Sequence, residues 1–274
     1  MRQRRTVYFL SDHTGITVEA MGRSLLSQFP ELEIDTVHWP FIDRAEKAEK
    51  VAEHINRAAM ESAVRPIVFS TLVDPEVRGR LKGVRAWVFD FFESCTDGLA
   101  EELGLAHHPV RGCSHGVGDL HSYHERIHAV NYALTNDDGA VTRNYPAAEV
   151  ILIGVSRSGK TPTCLFLGLQ HGILAANWPL TEEELEPPRL PEPLVPWKGK
   201  LFGLTIDPLH LQRIRQERRP TGRYSSLEQC RNEVRAAERL FDAEGIPSLD
   251  TTAMSVEEIA TRLLQKMSLE SRMK

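Results

Sequence analysis

The sequence predicts an α/β fold class, with two α/β domains whose sheets are mostly parallel. In the first half, short apolar runs such as 6–10 and 84–89 alternate with segments whose apolar residues recur at helical spacing. The same alternation restarts at the apolar run 149–153. Alternating strands and helices are typical of a parallel sheet covered by helices. We therefore expect one domain over residues 1–145 and a second over 146–274.

The elements of the first domain follow from its periodicity. The clearest is the helix 44–63, which carries Ala48, Val51 and Ile55 on one face. The predicted strands of this domain cover 6–10, 33–38, 66–72 and 84–89, and the predicted helices cover 16–29, 44–63 and 121–134.

The second domain repeats the pattern with one interruption. Five prolines lie between residues 187 and 197. Because proline fixes φ and lacks an N–H donor, an extended surface connection is expected there. The predicted strands of this domain cover 149–153, 201–206 and 246–249, and the predicted helices cover 160–171, 209–217, 226–244 and 255–266.

Composition and charge exclude several classes of protein. Apolar residues make up 41% of the chain, which is enough for a buried core. The formal net charge of −5 argues against a nucleic-acid partner. The apolar run at 7–10 is too short for a secretion signal, and no run approaches the roughly 18 apolar residues of a membrane span. We therefore expect a cytoplasmic protein with no membrane partner.

The cysteines point to the same compartment. They are far apart and form no C-x-x-C pair, which disfavours a disulfide framework or a zinc site of standard spacing. Reduced thiols are expected in a cytoplasmic protein. The four residues are Cys95, Cys113, Cys164 and Cys230.

The strongest functional signal is the Gly154–Thr161 loop, which fits G-x-x-x-x-G-K-[ST] at every fixed position. It joins a predicted strand to a predicted helix, as the mechanism requires. Glycines let the backbone curl so that successive N–H groups face a phosphate, and the helix N-terminus adds partial positive charge. The phosphate-binding residues predicted here are Gly154, Val155, Ser156, Arg157, Ser158, Gly159, Lys160 and Thr161.

The ends of this loop carry specific predictions. Lys160 should reach the terminal phosphate and act catalytically, and the Thr161 hydroxyl should help to hold Mg²⁺. A magnesium site usually takes a carboxylate from a neighbouring strand, and Asp207 ends the apolar run 201–206. Asp207 is therefore a candidate metal partner and catalytic base. An equally simple hypothesis is that it caps the helix that begins at Pro208.

Arginines follow this carboxylate closely. Such a cluster could cover the phosphates and neutralise charge during phosphoryl transfer, or it could be a solvated helix end. Its members are Arg213, Arg215, Arg218, Arg219 and Arg223.

Three weaker signals remain. The segment 11–15, Ser-Asp-His-Thr-Gly, follows the first strand and could bind phosphate, relay protons or cap a helix. The doublet Asp137-Asp138 is interpreted as part of a turn. The third signal is a group of histidines, which could contact phosphate or hold a metal but is most simply a polar loop and helix start. Its members are His107, His108, His115, His121, His124 and His128.

The chain resembles a known family, the bacterial phosphoenolpyruvate synthase regulatory proteins, which are related to the plant pyruvate, phosphate dikinase regulatory proteins. The resemblance covers nearly the whole chain. It is carried by the segments 11–29, 154–163, 201–220, 223–241 and 245–264.

The resemblance implies a bifunctional enzyme. With ADP as donor, the family phosphorylates a threonine beside the catalytic histidine of the synthase and inactivates it. With inorganic phosphate as co-substrate, it removes that phosphate and releases pyrophosphate. The synthase is the implied protein partner, and a homo-oligomer is compatible with the sequence.

Two other functions fit the second half. Its phosphate loop, arginine-rich segment and closing strand and helix resemble small-molecule kinases such as nucleoside-monophosphate or shikimate kinases. A nucleotide-sensing module without catalysis is the second alternative. The residues themselves do not distinguish ADP from ATP.

Overall fold

Two four-stranded sheets, each entirely parallel, organise the chain. The computed structural model describes residues 3–62, 64–108, 120–186 and 189–272. The predicted fold class, two α/β domains with mostly parallel sheets, is confirmed.

The strand order is β2-β1-β3-β4 in the first sheet and β6-β5-β7-β8 in the second. In each sheet, the chain first adds a strand on one side of the starting strand and then reverses to the other side. This reversal lies between β1 and β3 in the first sheet and between β5 and β7 in the second. Such reversals open a crevice at the carboxyl ends of the strands, where ligands of α/β proteins bind. The strands are β1 Gln3–Leu10, β2 Leu32–Trp39, β3 Ile67–Ser70, β4 Trp87–Asp90, β5 Val150–Gly154, β6 Ala175–Pro179, β7 Leu201–Thr205 and β8 Ser248–Asp250.

Helices connect successive strands, and shorter 3-10 segments fill several of the turns. Two of those turns are Asp137–Gly139 and Arg223–Ser225. The helices are α1 Ile16–Leu26, α2 Ala45–Glu61, α3 Pro75–Gly79, α4 Phe91–Leu103, α5 Leu120–Thr135, α6 Lys160–His171, α7 Glu182–Leu185, α8 Pro208–Arg218, α9 Leu227–Glu244 and α10 Val256–Met267.

In the first unit, helices cover both faces of the sheet because strand side chains alternate between them. Val7 and Phe9 of β1 pack in one core with residues of α1 and α4. Tyr8 and Leu10 pack in another with residues of α2 and α3.

The second unit is built in the same way around β5, whose five residues are all buried. Ile151 and Ile153 join residues of α8 and α9 in one core. Val150 and Leu152 join residues of α5, α6 and α10 in the other. A strand buried on both faces reads as a continuous apolar run, which is why the sequence predicted it.

The division between the units differs from the predicted one. The compact units are 1–118 and 119–274, so the boundary placed at residue 145 comes too late. Packing is the reason, because α5 lies directly on α6. A Cβ added at Gly168 of α6 would lie 3.0 Å from the carbonyl carbon of Ala129 in α5, and only glycine allows this close approach.

Several local expectations also change. The proline-rich stretch was predicted to be extended, but Glu192–Lys200 forms 3-10 turns, in which proline fits at the first positions. The short strand β6 and the helices α3, α4 and α7 were not predicted. Cys113, His115 and the two prolines at 187 and 188 lie outside the described residues. In the part of the chain that is described, no helix has both the length and the apolar character needed to cross a membrane.

The α5–α6 contact gives the first testable prediction. Gly168→Val should lower the free energy of unfolding by about 1–3 kcal/mol, because its branched side chain would press on the α5 backbone. Urea unfolding of the full chain measures this. Gly199→Val is the matched control, since an added Cβ there meets no atom within 4 Å. Equal losses in the two variants would contradict the close-packing argument.

Candidate functional site

The Gly154–Thr161 loop lies at the carboxyl end of β5, between the ends of β6 and β7. It leads directly into α6, so the helix begins at Lys160. The sequence therefore predicted the strand, the loop and the helix in the arrangement that a phosphate site requires.

Backbone geometry explains the two fixed glycines. A Cβ at Gly154 would lie 2.3 Å from the carbonyl oxygen of Leu204 in β7, a distance that no side chain tolerates. Gly159 adopts a left-handed conformation with φ 92°. Arg157 is also left-handed, with φ 77°, a strained conformation for a residue with a side chain. Strained backbone that the fold holds in place is a common feature of ligand-binding loops.

Several carbonyl oxygens of the loop accept hydrogen bonds from side chains of the second unit. Thr251 Oγ1 donates to the oxygen of Ser158 at 3.2 Å, and Arg215 donates to the oxygen of Ser156 at 3.2 Å. Thr163 Oγ1 donates to the oxygen of Gly159 at 2.8 Å. The first amides of α6 have no intrahelical acceptors, and the partial positive charge at this end of the helix suits an anion.

Lys160 holds two further carbonyls. Its Nζ donates to the oxygens of Gly154 at 3.0 Å and Val155 at 2.9 Å. An ammonium group has three protons, so these contacts leave one for a phosphate oxygen. Burial lowers the pKa of Lys160 to about 8, and the nearby carboxylates of Asp138 and Asp137 oppose that shift.

The carboxylate beside Thr161 is Asp137, from the turn that follows α5. Thr161 Oγ1 donates to Asp137 Oδ1 at 2.8 Å. Asn177 of β6, fully buried, donates to the same oxygen at 2.5 Å and accepts from the Asp138 amide at 3.1 Å. The predicted turn is confirmed, but its functional contact was missed. The available signal was a carboxylate in the turn that follows α5, upstream of the strand that carries the loop.

Asp207 lies at the start of α8, directly after β7. Its Oδ1 accepts from the amides of Leu209 and His210, both at 2.9 Å, and so caps α8. Its own amide donates to Thr252 Oγ1 at 2.7 Å. No hydrogen bond or ion pair joins Asp207 to the Gly154–Thr161 loop within the described residues. The capping hypothesis is confirmed, while a role in transfer stays a prediction.

The arginine cluster separates into different environments. Arg215 is fully buried against the loop, and its ion pair with Glu233 has an N–O distance of 2.6 Å. Arg223 pairs with Glu182 of α7. The other three, Arg213, Arg218 and Arg219, are exposed.

The polar segment 11–15 belongs to the first unit, where its side chains bond to backbone amides. Asp12 accepts from the amide of Val73 at 3.1 Å, and Ser11 accepts from the amide of His13 at 3.2 Å. Neither caps α1, whose N-cap is Gly15 without a side-chain contact, so the capping hypothesis for this segment is wrong. In the described ranges, no three His, Cys, Asp or Glu side chains are grouped as metal ligands, the described histidines included.

The donor set at Thr161 suits a magnesium ion that arrives with phosphate. Mg²⁺ prefers oxygen ligands, keeps several waters and is usually held by one or two carboxylates together with substrate phosphates. The hydroxyl of Thr161 and the carboxylate of Asp137 supply such oxygens. Together with the hydrogen-bonded carbonyls and a buried lysine, they form a site that can bind and polarise a phosphate chain.

Comparison with known proteins agrees with this geometry. The model of the kinase/pyrophosphorylase family matches residues 7–264. A protein of Alkalilimnicola ehrlichii is 53% identical over 98% of both chains. Proteins of Marinobacter nauticus and Legionella pneumophila are each 49% identical over 97% of this chain and 98% of their own. All three carry phosphoenolpyruvate synthase regulatory protein as a provisional name.

The fold is α/β, and the description of the matching family places the chain in the phosphotransferase class. The match over almost the whole length makes the assignment specific. The chain belongs to the kinase/pyrophosphorylase family.

The pKa of Lys160 gives a prediction for ligand binding. Because an anion favours the charged ammonium, affinity for a nucleoside diphosphate such as ADP should be highest below pH 8 and fall above it. Linkage limits the loss to about tenfold per pH unit. Calorimetry from pH 7 to 9 measures it, and Lys160→Met should bind weakly with no such dependence. A steep loss that persists in Lys160→Met would contradict the assignment.

Proposed function

We propose that this chain regulates phosphoenolpyruvate synthase through two opposed reactions. The first phosphorylates a threonine of the synthase with ADP as donor and inactivates it. The second removes that phosphate with inorganic phosphate, forms pyrophosphate and restores activity. Both reactions take place in the cytoplasm, where the synthase and its nucleotides are found together.

The observation that carries this proposal is the Gly154–Thr161 loop with its hydrogen-bonded carbonyls and its buried Lys160. A loop of this kind suits a diphosphate, which both reactions contain, as ADP in one direction and as pyrophosphate in the other. The family description supports a kinase and a pyrophosphate-forming activity in one chain. The names of the relatives support the synthase as target.

In the forward direction, the terminal phosphoryl group of ADP moves to the threonine Oγ. A bond forms between that oxygen and the phosphorus, the bond to the bridging oxygen breaks, AMP leaves and one proton is released. Transfer of this kind needs positioning and charge stabilisation more than covalent chemistry. Lys160 and the amides of the loop would neutralise the developing charge.

In the reverse direction, an oxygen of inorganic phosphate attacks the phosphorus of phosphothreonine. The new bond makes pyrophosphate, the bond to Oγ breaks, and the threonine oxygen takes up a proton. The product diphosphate then occupies the part of the loop that holds the ADP phosphates, so one loop serves both reactions.

We assign to Asp137 the metal role that the sequence suggested for Asp207. When bound, Mg²⁺ would neutralise phosphate charge, with Thr161 and Asp137 to hold it. Asn177 fixes the carboxylate by its hydrogen bond of 2.5 Å, which orients it toward the Thr161 hydroxyl. Asp207 caps α8, a role that asparagine performs equally well.

The two alternatives make different predictions. A small-molecule kinase would phosphorylate a low-molecular-weight acceptor in place of the synthase. A nucleotide-sensing module would bind ADP tightly with slow or absent turnover. The similarity over the full chain to proteins named as synthase regulators favours the protein kinase over both.

Phosphothreonine mass spectrometry tests the proposal directly. Purified synthase incubated with this protein and ADP should gain one phosphothreonine and lose activity. Lys160→Ala should lower the rate of that transfer by at least about 100-fold, because it removes a charge from the phosphate site. Transfer at the normal rate by Lys160→Ala, or transfer only to small acceptors, would contradict the proposal.

The two carboxylates give a matched pair of variants. Asp137→Asn removes charge beside Thr161 and should slow transfer by about 100-fold or more. Asp207→Asn keeps the helix cap and should change the rate by less than about threefold. Single-turnover assays of synthase phosphorylation measure both. If Asp207→Asn loses transfer while Asp137→Asn stays active, the metal or base belongs to Asp207, as the sequence first suggested.

A further inference from the structure

A small cavity with four charged side chains in its walls opens beside the Gly154–Thr161 loop. Its volume is about 310 Å³, and it reaches the loop at Ser156. The opposite walls come from the start of α7, from α8 and from the turn before α9. Its charged side chains are Arg215, Arg223, Glu182 and Glu233. This size is at the lower end of ligand pockets and suits one side chain better than a whole nucleotide.

The inner wall of the cavity is fixed. Arg215 donates to the oxygen of Tyr224 at 3.0 Å as well as to Ser156 and Glu233. Its guanidinium lies 4.4 Å from the centre of the Tyr224 ring. The Tyr224 hydroxyl is 3.1 Å from Ser156 Oγ. Arg215 is fully buried, yet within the described chain its Nε has no hydrogen-bond partner.

The charged side chains of the outer wall can change partners. Arg223 is three-quarters exposed and pairs with Glu182, which is itself 41% exposed. Its Nε donates to Gln229 Oε1 at 3.2 Å. Exposed ion pairs contribute little to stability, so Arg223 can leave Glu182 at small cost. A phosphate offers the guanidinium a bidentate and doubly charged partner, which is the stronger one.

We propose that this cavity receives the target threonine in both of its states, with Arg223 moving from Glu182 to the phosphoryl group of phosphothreonine. The inference rests on the proposed function and names its acceptor subsite. Each arginine has its own glutamate, so the cavity is nearly neutral and accepts an uncharged hydroxyl in the forward reaction. When the phosphorylated residue enters, its dianion displaces Glu182 and recruits Arg223.

The position of the cavity agrees with this assignment. Ser156 belongs to the loop and also lines the cavity, so a side chain there adjoins the bound phosphates. Asp137, the carboxylate at Thr161, is held by Asn177 of β6, and the cavity is bordered by Pro179 at the end of the same strand. The groups suited to phosphoryl exchange therefore gather on the β6 side of the loop.

The kinetic test uses the full chain and the phosphorylated synthase. Arg223→Ala should raise the KM for phosphorylated synthase by about tenfold or more, because it removes the charge that pairs with the phosphoryl group. The KM for inorganic phosphate and the Kd for ADP should stay within about twofold. Glu182→Gln should lower the KM for phosphorylated synthase, since Arg223 is then free. Arg231→Ala is the control, an exposed arginine of α9.

A binding test does not depend on turnover. Capped phosphothreonine, added to the isotope-labelled chain with ADP present, should shift the backbone amide signals of residues 222–229, and Arg223→Ala should abolish the shift. Inorganic phosphate and capped threonine serve as separate arms. If the wild-type chain shows these shifts but no phosphoryl transfer, the proposed function is overturned and the subsite stands. Absence of the shifts, shifts that inorganic phosphate reproduces in full, or a rise in the ADP Kd of Arg223→Ala would overturn the subsite.

Discussion

The hydrogen bonding of the loop's carbonyl oxygens is the constraint on which the site depends. A short loop between a strand and a helix can offer a ligand either its oxygens or its amides, and only amides attract phosphate. Lys160, Arg215 and Thr251 hold the oxygens from α6, from α8 and from the end of β8. Because these donors come from distant parts of the second unit, the loop takes this conformation only when the whole unit is folded.

The site contains buried charges, which fix the positions of its groups more than they stabilise the fold. Arg215 and Glu233 form an almost buried pair, and such pairs often contribute little to the free energy of folding because desolvation offsets their attraction. Lys160 is buried as well, and the neighbouring carboxylates Asp137 and Asp138 only partly offset its desolvation. The phosphate chain of the proposed ligand would supply the missing negative charge. An anion bound there would offset part of the cost of burying Lys160.

The sequence predicted the parts of the site that are local in the chain. The β5 strand, the loop and α6 adjoin one another, so one motif contains their geometry. The contact between Asp137 and Asn177 joins residues 40 positions apart through β6, a strand whose Ala-Ala-Asn-Trp-Pro sequence has no β-branched residue to indicate it. Asp207 was ambiguous for a physical reason, because an aspartate between a strand and a proline suits both a metal and a helix cap.

The order of the strands explains why the two sides of the loop differ. β6 and β7 flank β5, so every group that reaches the phosphates must come from one side or the other. On the β7 side, the Asp207 amide donates to Thr252, and the Asp207 carboxylate accepts from the start of α8, so both groups hold the local fold. On the β6 side, Asp137 and the Arg223–Glu182 pair are exposed in part and can change partners. The two reactions proposed for this chain, addition and removal of one phosphate, need charges that can change partners, and the topology places them on one side.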